Sequence, residues 1–394
     1  MQGSRALGRV VNIEDLRQLA RKRVPLPIFD YVDGGADSEI TLRDNRRSWD
    51  EVLFRPHNAV NVPQPDLRTS VLGCDLALPM LLGPIGFTRL MNSQGERAVA
   101  AAAGDAGIGF CMSSFSGYSF DSVAAVAKAP LWYQLYLAGG RSIVEATLDR
   151  AWKAGFKVLA VTIDTNVPGN RERDLHNGSP FLMSGNTISM LPYLPSIMVK
   201  PRWLARFMAD REAMFFPNIQ IPGKGACPAS DVRAMLTGAV VTWEDMKWIR
   251  AAWPGPIVAK GVITGDDARR AFDTGSSGLI VSNHGGRQLD TCYPTTRALP
   301  EVLRAVNGQG PVLVDGGIRR GGDILKALCM GAQAVLIGRA YAYGLTAEGR
   351  AGVARAIAIL KADLERTMAL LGCASLKDLN PSLVSVPRGW TDCK

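Results

Sequence analysis

The sequence lacks the features of an exported protein or of one held together by a structural metal. None of its seven cysteines lies in a Cys-x-x-Cys pair, and their odd number and wide spacing argue against a disulfide framework and a zinc site. The opening residues, MQGSRALGRVVNIEDL, lack the apolar core of a signal peptide, and no apolar run is long enough for a transmembrane helix. We therefore expect a cytoplasmic protein with free thiols.

Histidine is also scarce, with three residues in 394. They form no His-x-x-x-His motif and no cluster with carboxylates, so no metal site is expected. His57, in FRPHNAV, is interpreted as structural, and His176, in RERDLHNG, as a solvated or capping residue. His284 stands at the end of the apolar run in GLIVSNHGGRQLD, close to Arg287, and is the candidate for acid–base chemistry.

The net charge is positive, but the basic residues are spread along the chain. Forty-five Lys and Arg residues against 36 Asp and Glu give a net charge of +9, which favours an anionic partner. The chain has no long Lys/Arg run and no aromatic–basic motif of a nucleic-acid module. An anionic substrate or an anionic membrane is therefore favoured over nucleic acid.

Apolar, β-rich runs alternate with amphipathic stretches from about residue 76 onward. This alternation predicts parallel βαβ units, and eight units in one run predict a (β/α)8 barrel. A doubly wound open sheet is the alternative, but GPIGFTRLMN after the first strand is not a dinucleotide-binding G-x-G-x-x-G. The predicted strands are 79–86, 107–114, 130–136, 157–164, 256–262, 278–285, 311–318 and 334–340.

Segments outside the repeat define the predicted domain organisation. Residues 1–75 are expected to form an N-terminal helical extension on the barrel of residues 76–370, followed by a C-terminal tail, 371–394. A long insert after strand four, about 179–235, mixes apolar and aromatic residues with Lys and Arg. Over 186–222 this composition is typical of a monotopic membrane contact, and a lid or subunit contact is the alternative.

Ionisable side chains follow five successive predicted strands. Active sites of such barrels form at the C-terminal ends of the strands, so the convergence predicts a catalytic site there. From strand three onward the polar residues at these ends are Gln134, Tyr136, Asp164, Lys260, His284, Arg287, Asp315, Arg319 and Arg339.

The last two strand ends predict an anion site. DGGIRRGGD and GRA combine backbone N–H groups at glycines with guanidinium groups, which suits a phosphate; a tight Gly-Gly turn is the alternative. Arg171 and Arg287 suit a substrate carboxylate, because a guanidinium binds it through two hydrogen bonds, and surface ion pairing is their alternative. Asp164 either orients His284 or caps the following turn.

Together these segments resemble the FMN-dependent α-hydroxy-acid dehydrogenases and oxidases. The resemblance runs from VNIEDLRQLARKRVPLPIFDYVDGGADSE through WYQLY, VTIDTNVPGNRERD, AKGVITGDDA and SNHGGRQLD to VDGGIRRGGDILKALCMGAQAVLIGRA. SNHGGRQ is highly specific to that family, and the other segments occur in the right order. The resemblance implies FMN as cofactor and oxidation of an (S)-2-hydroxy acid, mandelate-like or lactate-like.

The resemblance also implies roles for single residues. His284 takes a proton from the hydroxy acid, Asp164 stabilises the charged histidine, and Lys260 places positive charge near the flavin N1 edge. The residues implied to contact the substrate are Tyr31, Phe115, Tyr136, Arg171, His284 and Arg287. The residues implied to hold FMN are Pro84, Ile85, Gly86, Ser113, Gln134, Thr162, Lys260, Ser282, Asp315, Gly317, Arg319, Gly338 and Arg339.

Two features resemble the membrane-associated dehydrogenases of the family. Gly86 occupies a position where many of the oxidases have alanine, and the basic–aromatic insert occupies the place of a membrane-binding segment. This implies electron transfer to a membrane quinone at the inner face of the cell membrane, and a homo-oligomer, often a tetramer. Ile85 and Phe115 depart from the commoner residues, and Phe115 would narrow the pocket or stack on an aromatic substrate.

Three other functions account for part of the same sequence features. A soluble oxidase that reduces O2 to hydrogen peroxide shares the chemistry and differs in the electron acceptor. A flavin-free phosphate-ligand barrel, such as an aldolase with Lys260 as a Schiff-base nucleophile, leaves the grouping of Arg171, His284 and Arg287 unexplained. A non-catalytic membrane-binding scaffold is at odds with the complete set of ionisable groups at the strand ends.

Overall fold

The N-terminal residues form three helices before the barrel begins. The computed structural model describes residues 6–178, 191–210 and 212–390. Helix α1 starts at a capping box between Asn12 and Asp15, and Pro25 precedes α2. After a short 3-10 turn at Leu7–Arg9, the helices are α1 (Ile13–Arg23), α2 (Leu26–Asp33) and α3 (Ile40–Glu51).

Three short strands follow these helices, which the predicted helical extension did not include. Strand β1 (Leu53–Phe54) pairs antiparallel with β14 (Val384–Ser385) near the C-terminus. Strands β2 (Thr69–Val71) and β3 (Cys74–Leu76) form a hairpin whose apolar side chains join the core inside the barrel. Gln333, just before a barrel strand, donates to the Ser70 carbonyl, so the hairpin plugs the N-terminal end of the barrel.

Eight parallel strands then close into a barrel, as the sequence predicts. Each barrel strand is buried almost throughout, which explains why the strands read as continuous apolar runs rather than alternating ones. The first four are β4 (Met80–Leu82), β5 (Gly109–Ser113), β6 (Leu131–Leu135) and β7 (Val158–Thr162). After β8 (Phe215–Ile221) and β9 (Gly225–Pro228) of the insert come β10 (Ile257–Val262), β11 (Gly278–Val281), β12 (Val312–Val314) and β13 (Ala334–Ile337). Strand β13 pairs with β4, and β7 with β10, which closes the ring.

Helices surround the barrel and cover the outer faces of the strands. The last one bends where Glu348 and Gly349 leave helical geometry, and α1 packs against it. The helices of the first half are α4 (Thr88–Met91), α5 (Gly95–Asp105), α6 (Phe120–Ala124), α7 (Arg141–Lys153) and α8 (Glu172–Asn177). The insert and second half add α9 (Leu194–Met198), α10 (Pro201–Ala209), α11 (Val232–Leu236), α12 (Trp243–Ala252), α13 (Gly265–Asp273), α14 (Thr295–Val306), α15 (Gly321–Cys329) and α16 (Arg339–Leu371). Further 3-10 turns lie at Leu191–Tyr193, Ala229–Asp231, Leu376–Asp378 and Pro381–Leu383.

The insert after β7 has two parts of different character. Residues 179–190 and Arg211 of the predicted insert lie outside the described residues. Around α9 and α10 four apolar side chains are more than half exposed, namely Leu191, Met198, Val199 and Met208. The β8–β9 hairpin instead buries Phe216, Ile219 and Cys227 and leaves Phe215 exposed. Within the described ranges, no helix combines the length and apolar composition that a membrane crossing requires.

Candidate active site

The strand-end residues predicted from the sequence meet at the C-terminal mouth of the barrel. Barrel register places Lys260 opposite Thr162 on one side and Ile280 on the other, and Ser113 opposite Gln134. His284 follows β11 by three residues, in a turn where His284, Gly285 and Gly286 all have positive φ angles. The remaining two histidines lie on exposed segments, as a structural or solvated role allows.

His284 is held between a carboxylate and a phenol. Its Nδ1 lies 3.0 Å from Asp164 Oδ1, and its Nε2 lies 3.1 Å from the Tyr136 hydroxyl. The backbone N–H of His284 donates to Ser282 Oγ at 3.2 Å, which fixes the left-handed turn. A side chain at Gly286 would collide with the backbone of Leu42 in α3, so the N-terminal extension presses directly on this turn.

The charges around His284 select its tautomer. Burial opposes ionisation of Asp164, but its contact with His284 and the positive charge of Lys260 outweigh burial and lower the Asp164 pKa. An ionised carboxylate only accepts hydrogen bonds, so Nδ1 carries the proton and donates to Asp164. Burial raises the pKa of Tyr136, which keeps its hydroxyl protonated and able to donate to Nε2. In the neutral imidazole, Nε2 is therefore the nitrogen that carries the lone pair, and this lone pair accepts a hydrogen bond from the Tyr136 hydroxyl.

Two guanidinium groups flank Tyr31, which comes from α2. The Arg287 guanidinium carbon lies 5.0 Å from the centre of the Tyr31 ring, and that of Arg171 lies 6.0 Å away. Arg287 donates to the carbonyls of Tyr31 at 2.7 Å and Gly34 at 2.9 Å, and the Tyr31 hydroxyl donates to Gly86 at 3.3 Å. Burial and the charge of Arg171 lower the pKa of Arg287 to about 9. Two partly buried cations on one tyrosine ring favour a bound anion, which a carboxylate supplies.

Lys260 is buried and fully paired. Its ammonium group donates to Ser282 Oγ at 2.8 Å and forms an ion pair with Asp315 Oδ2 at 3.1 Å. Burial favours the neutral amine, but the charges of Asp315 and Asp164 outweigh it and raise the Lys260 pKa. A Schiff-base lysine needs the opposite shift, toward a neutral nucleophile. The pairing therefore does not favour the flavin-free aldolase alternative.

A row of polar side chains crosses three adjacent strand ends. Ser113 Oγ donates to Gln134 Oε1 at 3.1 Å, and Gln134 Nε2 donates to Thr162 Oγ1 at 2.8 Å. Across the barrel mouth, the Oδ1 atom of Asp315 is buried without a hydrogen-bond partner among the described residues. A buried acceptor of this kind calls for a donor from a ligand. The row, the orphaned carboxylate oxygen and the Lys260 cation suit a flavin ring with a hydroxylated side chain.

The expected phosphate end of the site has two distinct arginines. Gly317 has a φ of +78°, and a Cβ there would fall 1.8 Å from the carbonyl oxygen of Asn45, so only glycine fits. Arg319 donates to its neighbouring carbonyl and lies over Tyr343. All three guanidinium nitrogens of Arg339 donate hydrogen bonds to backbone carbonyls, those of Val32, Gly34 and Gly285, at 2.6–3.0 Å. Its side chain thus fastens α2 to the barrel, and its backbone N–H at the start of α16, beside Gly338, is the group placed to meet an anion.

The pocket wall opposite the arginines is aromatic. The ring of Phe115, predicted as a substrate-lining residue, lies 5.4 Å from that of Tyr136 at a tilt of 33°, and a Cβ at Gly86 would come 3.1 Å from the Phe115 Cβ. The half-buried residues Pro84 and Ile85 complete the loop before it. Phe87 and Phe216, which the sequence did not single out, pack against Phe115 from behind. Phe87 follows the GPIG strand end and was within reach of sequence reasoning, whereas no sequence signal located Phe216 of the insert.

Comparisons with known proteins agree with this site. A family model described as FMN-dependent dehydrogenase matches residues 20–386. The L-lactate oxidase of Nostoc sp. is 39% identical over 96% of this chain and 99% of its own length. The (S)-mandelate dehydrogenase of Pseudomonas putida is 38% identical over 94% of this chain and 92% of its own. A crystal structure of monotopic membrane protein (S)-mandelate dehydrogenase superposes with a TM-score of 0.88, at 35% identity over 96% of this chain and 100% of that one.

These relatives are oxidoreductases that act on the CH–OH group of 2-hydroxy acids, and their family uses FMN. The match extends over nearly the whole length of both partners, so it covers every strand end that forms the pocket. The chain therefore belongs to the family of FMN-dependent 2-hydroxy-acid dehydrogenases and oxidases.

Proposed function

We propose that the protein oxidises an (S)-2-hydroxy acid, mandelate-like or lactate-like, to the 2-oxo acid, with His284 as the base, and delivers the electrons to a membrane quinone. The observation that carries the proposal is the Asp164–His284–Tyr136 arrangement, in which Nδ1 is bound to the carboxylate and Nε2 is left as the nitrogen that can accept a proton. The reaction removes two electrons and two protons from the substrate. FMN, when bound, accepts the electrons that leave the substrate carbon.

The substrate is oriented by its carboxylate. Arg171 and Arg287 would bind this group, since both cations lie beside Tyr31 and Arg287 is buried without an acidic partner at hydrogen-bonding distance within the described part of the chain. The Tyr31 and Tyr136 hydroxyls would then hydrogen-bond the substrate next to its carboxylate. In this orientation the hydroxyl-bearing carbon of the substrate would lie beside His284 Nε2. Nε2 would take a proton from the substrate, and Asp164 would stabilise the resulting imidazolium.

The cofactor would lie along the polar row and the buried lysine. Ser113, Gln134 and Thr162 supply hydrogen bonds on one side, and Lys260 supplies positive charge near the electron-rich edge of the reduced ring. The loop of Pro84, Ile85 and Gly86 would approach the ring through its backbone. The remaining residues proposed to hold the hydroxylated chain and the phosphate are Ser282, Asp315, Gly317, Arg319, Gly338 and Arg339.

The first part of the insert is the basis for proposing that the protein binds the membrane and reduces a quinone there. Met198, Val199 and Met208 are exposed there, among the exposed cations Arg202 and Arg206. Apolar groups bordered by basic ones suit the interface of an anionic bilayer. A related (S)-mandelate dehydrogenase is described as monotopic. We accordingly place the protein at the inner face of the cell membrane, as a homo-oligomer, with residues 191–210 as the described part of the contact.

A second function, oxidation with O2 as acceptor, is favoured by the similarity to L-lactate oxidase. The two functions differ only in how the reduced enzyme is reoxidised. In stopped-flow measurements, reduced protein mixed with air-saturated buffer or with a soluble quinone analogue distinguishes them. Reoxidation that is fast only with the quinone supports the dehydrogenase, and fast reoxidation by O2 with release of hydrogen peroxide supports the oxidase.

The test of the proposal is a visible spectrum of the purified protein under anaerobic conditions. Addition of (S)-mandelate or L-lactate should bleach the flavin absorbance, and the matching R enantiomers should not. The His284→Ala variant should retain FMN and lose the bleaching. Substantial turnover by that variant would overturn the role of His284, and a flavin that no 2-hydroxy acid bleaches would overturn the substrate class.

A further inference from the structure

The aromatic wall of the substrate pocket is completed by the insert. Phe216 of β8 is 1% exposed and meets Phe115 at 5.4 Å and Phe87 at 4.8 Å between ring centres, both edge to face. Phe115 in turn lies 5.4 Å from Tyr136, whose hydroxyl bonds His284. Phe216 is therefore one ring removed from the reacting groups, although it belongs to a segment outside the barrel.

A buried asparagine fixes the position of this strand. Asn218 lies two residues after Phe216 and is likewise only 1% exposed. Its side chain accepts from the Phe120 N–H at 3.0 Å and donates to the Tyr118 carbonyl at 2.9 Å. Its own carbonyl accepts hydrogen bonds from side chains of α7. A polar side chain that is buried and fully bonded specifies a single register, because any slip would leave it unpaired.

An ion pair fixes the chain just before the strand. Arg89 of α4 is bound in a two-pronged fashion by Asp210, which follows α10, and also donates to the Gly117 carbonyl at 2.7 Å. Both side chains are largely buried, so loss of either would leave an uncompensated charge. The Trp203 indole N–H donates to the Leu90 carbonyl at 2.7 Å from the same side. The strand with Phe216 is thus fixed, from the segment before it and at Asn218, to the segments after β4 and β5.

We propose that Phe216 is a positioning residue that holds Phe115 against Tyr136 and so limits the size of the substrate side chain, a proposal that rests on the function given above. In this assignment the insert has two roles: the exposed apolar side chains of residues 191–210 face outward, and the β8–β9 hairpin is a permanent part of the pocket wall. Asn218 acts on selectivity only through Phe216. Substrate size is then set in part by a segment that the barrel pattern does not contain.

The test is the selectivity between a small and a bulky substrate. Phe216→Ala removes the ring behind Phe115, so Phe115 can retreat and the pocket deepens. We expect kcat/KM for L-indole-3-lactate to rise about tenfold relative to L-lactate, the scale of a change in one apolar pocket contact. Most of the change should lie in KM, because the groups around His284 are untouched. Phe216→Leu removes only part of the ring volume, so it should shift the ratio in the same direction by a smaller amount, and it covers the case in which the alanine variant fails to fold.

Phe215→Ala is the matched control. Phe215 is the adjacent residue of the same strand and the same type, but it is 43% exposed and faces away from the pocket. Its substitution should leave the selectivity ratio unchanged. A change as large as that of the Phe216 variants would show that the strand, and not the Phe216 ring, is responsible, and would overturn the proposal.

A double-mutant cycle with Phe115→Ala tests the route of the effect. If Phe216 acts through Phe115, the double variant should have the selectivity of Phe115→Ala alone, so the two effects are not additive. Additive effects, or unchanged selectivity in both Phe216 variants of an active enzyme, would overturn the proposal and leave the function intact. A parent protein that no 2-hydroxy acid reduces would overturn the function itself, and this inference with it.

Discussion

Replacement of Asp164 by asparagine tests the proposed base most directly. The substitution keeps the size of the side chain and its contact with His284 Nδ1, now 3.0 Å, but removes the negative charge. Two consequences follow. The imidazolium formed when His284 accepts the substrate proton loses its counter-ion, and the amide can present its N–H to Nδ1 and so select the opposite tautomer.

The expected loss is large because the pair is buried. Two unit charges about 4 Å apart interact by about 4 kcal/mol at an effective dielectric constant of about 20. If the transition state carries most of the positive charge on His284, this corresponds to a fall in the rate of flavin reduction of about 1000-fold. FMN should stay bound, because the polar row of Ser113, Gln134 and Thr162 is unchanged.

The assay is anaerobic stopped-flow reduction, with flavin absorbance followed at saturating substrate. Asp164→Glu keeps the charge and should be much less impaired than Asp164→Asn. A substrate-analogue titration checks that both variants bind the carboxylate as the parent does. If Asp164→Asn reduces its flavin within tenfold of the parent rate, the carboxylate does not stabilise a charged His284, and the proposed role of the pair is wrong.

Three further substitutions test other parts of the site. Arg287→Ala should raise KM for the hydroxy acid about 100-fold, the value of a charge-assisted pair of hydrogen bonds, with FMN retained; a KM within threefold of the parent would rule out Arg287 as a carboxylate ligand. Lys260→Met should make the midpoint potential of bound FMN more negative, because it removes the cation near the reduced ring, and an unchanged potential in a redox titration would contradict that placement. Burial raises the pKa of Asp30 from 3.8 to about 6. Between these two pH values the folded state therefore binds more protons than the unfolded chain. The contribution of Asp30 to the free energy of unfolding falls as pH rises through this range. Asp30→Asn should therefore raise Tm, relative to the parent, more at pH 7 than at pH 4, and equal differences at both pH values in thermal unfolding would refute this.

Much of the barrel could be predicted because its strands are buried on both faces and its helices on one. Such burial produces apolar runs that alternate with amphipathic stretches in the sequence. The observed strands β4 to β7 and β10 to β13 all fall inside the predicted apolar runs. The convergence of Asp164 with His284 was also predictable, since parallel strands bring their C-terminal ends to one edge. The hairpin β2–β3 was missed because its strands are only three residues long and carry little periodicity.

Other parts of the site depend on contacts that local sequence does not encode. Tyr31 lies in a helix that is far from the barrel strands along the sequence. It was predicted as a site residue only through the family resemblance. The sequence marks Arg339 as an anion ligand by residue type, but its guanidinium is taken up by three carbonyls. Phe216 lies in an insert without a repeating pattern, and its place against Phe115 follows from the Asn218 and Asp210 anchors.

The three carbonyls bound by Arg339 have a consequence for synthesis of the chain. They join residues 32 and 34 to residue 339, so these hydrogen bonds form only after the last barrel strand has left the ribosome. Tyr31 lies in α2, and Arg287 binds its carbonyl as well. A chain truncated before Gly338 should therefore lack contacts that hold the substrate pocket together and part of the proposed phosphate site.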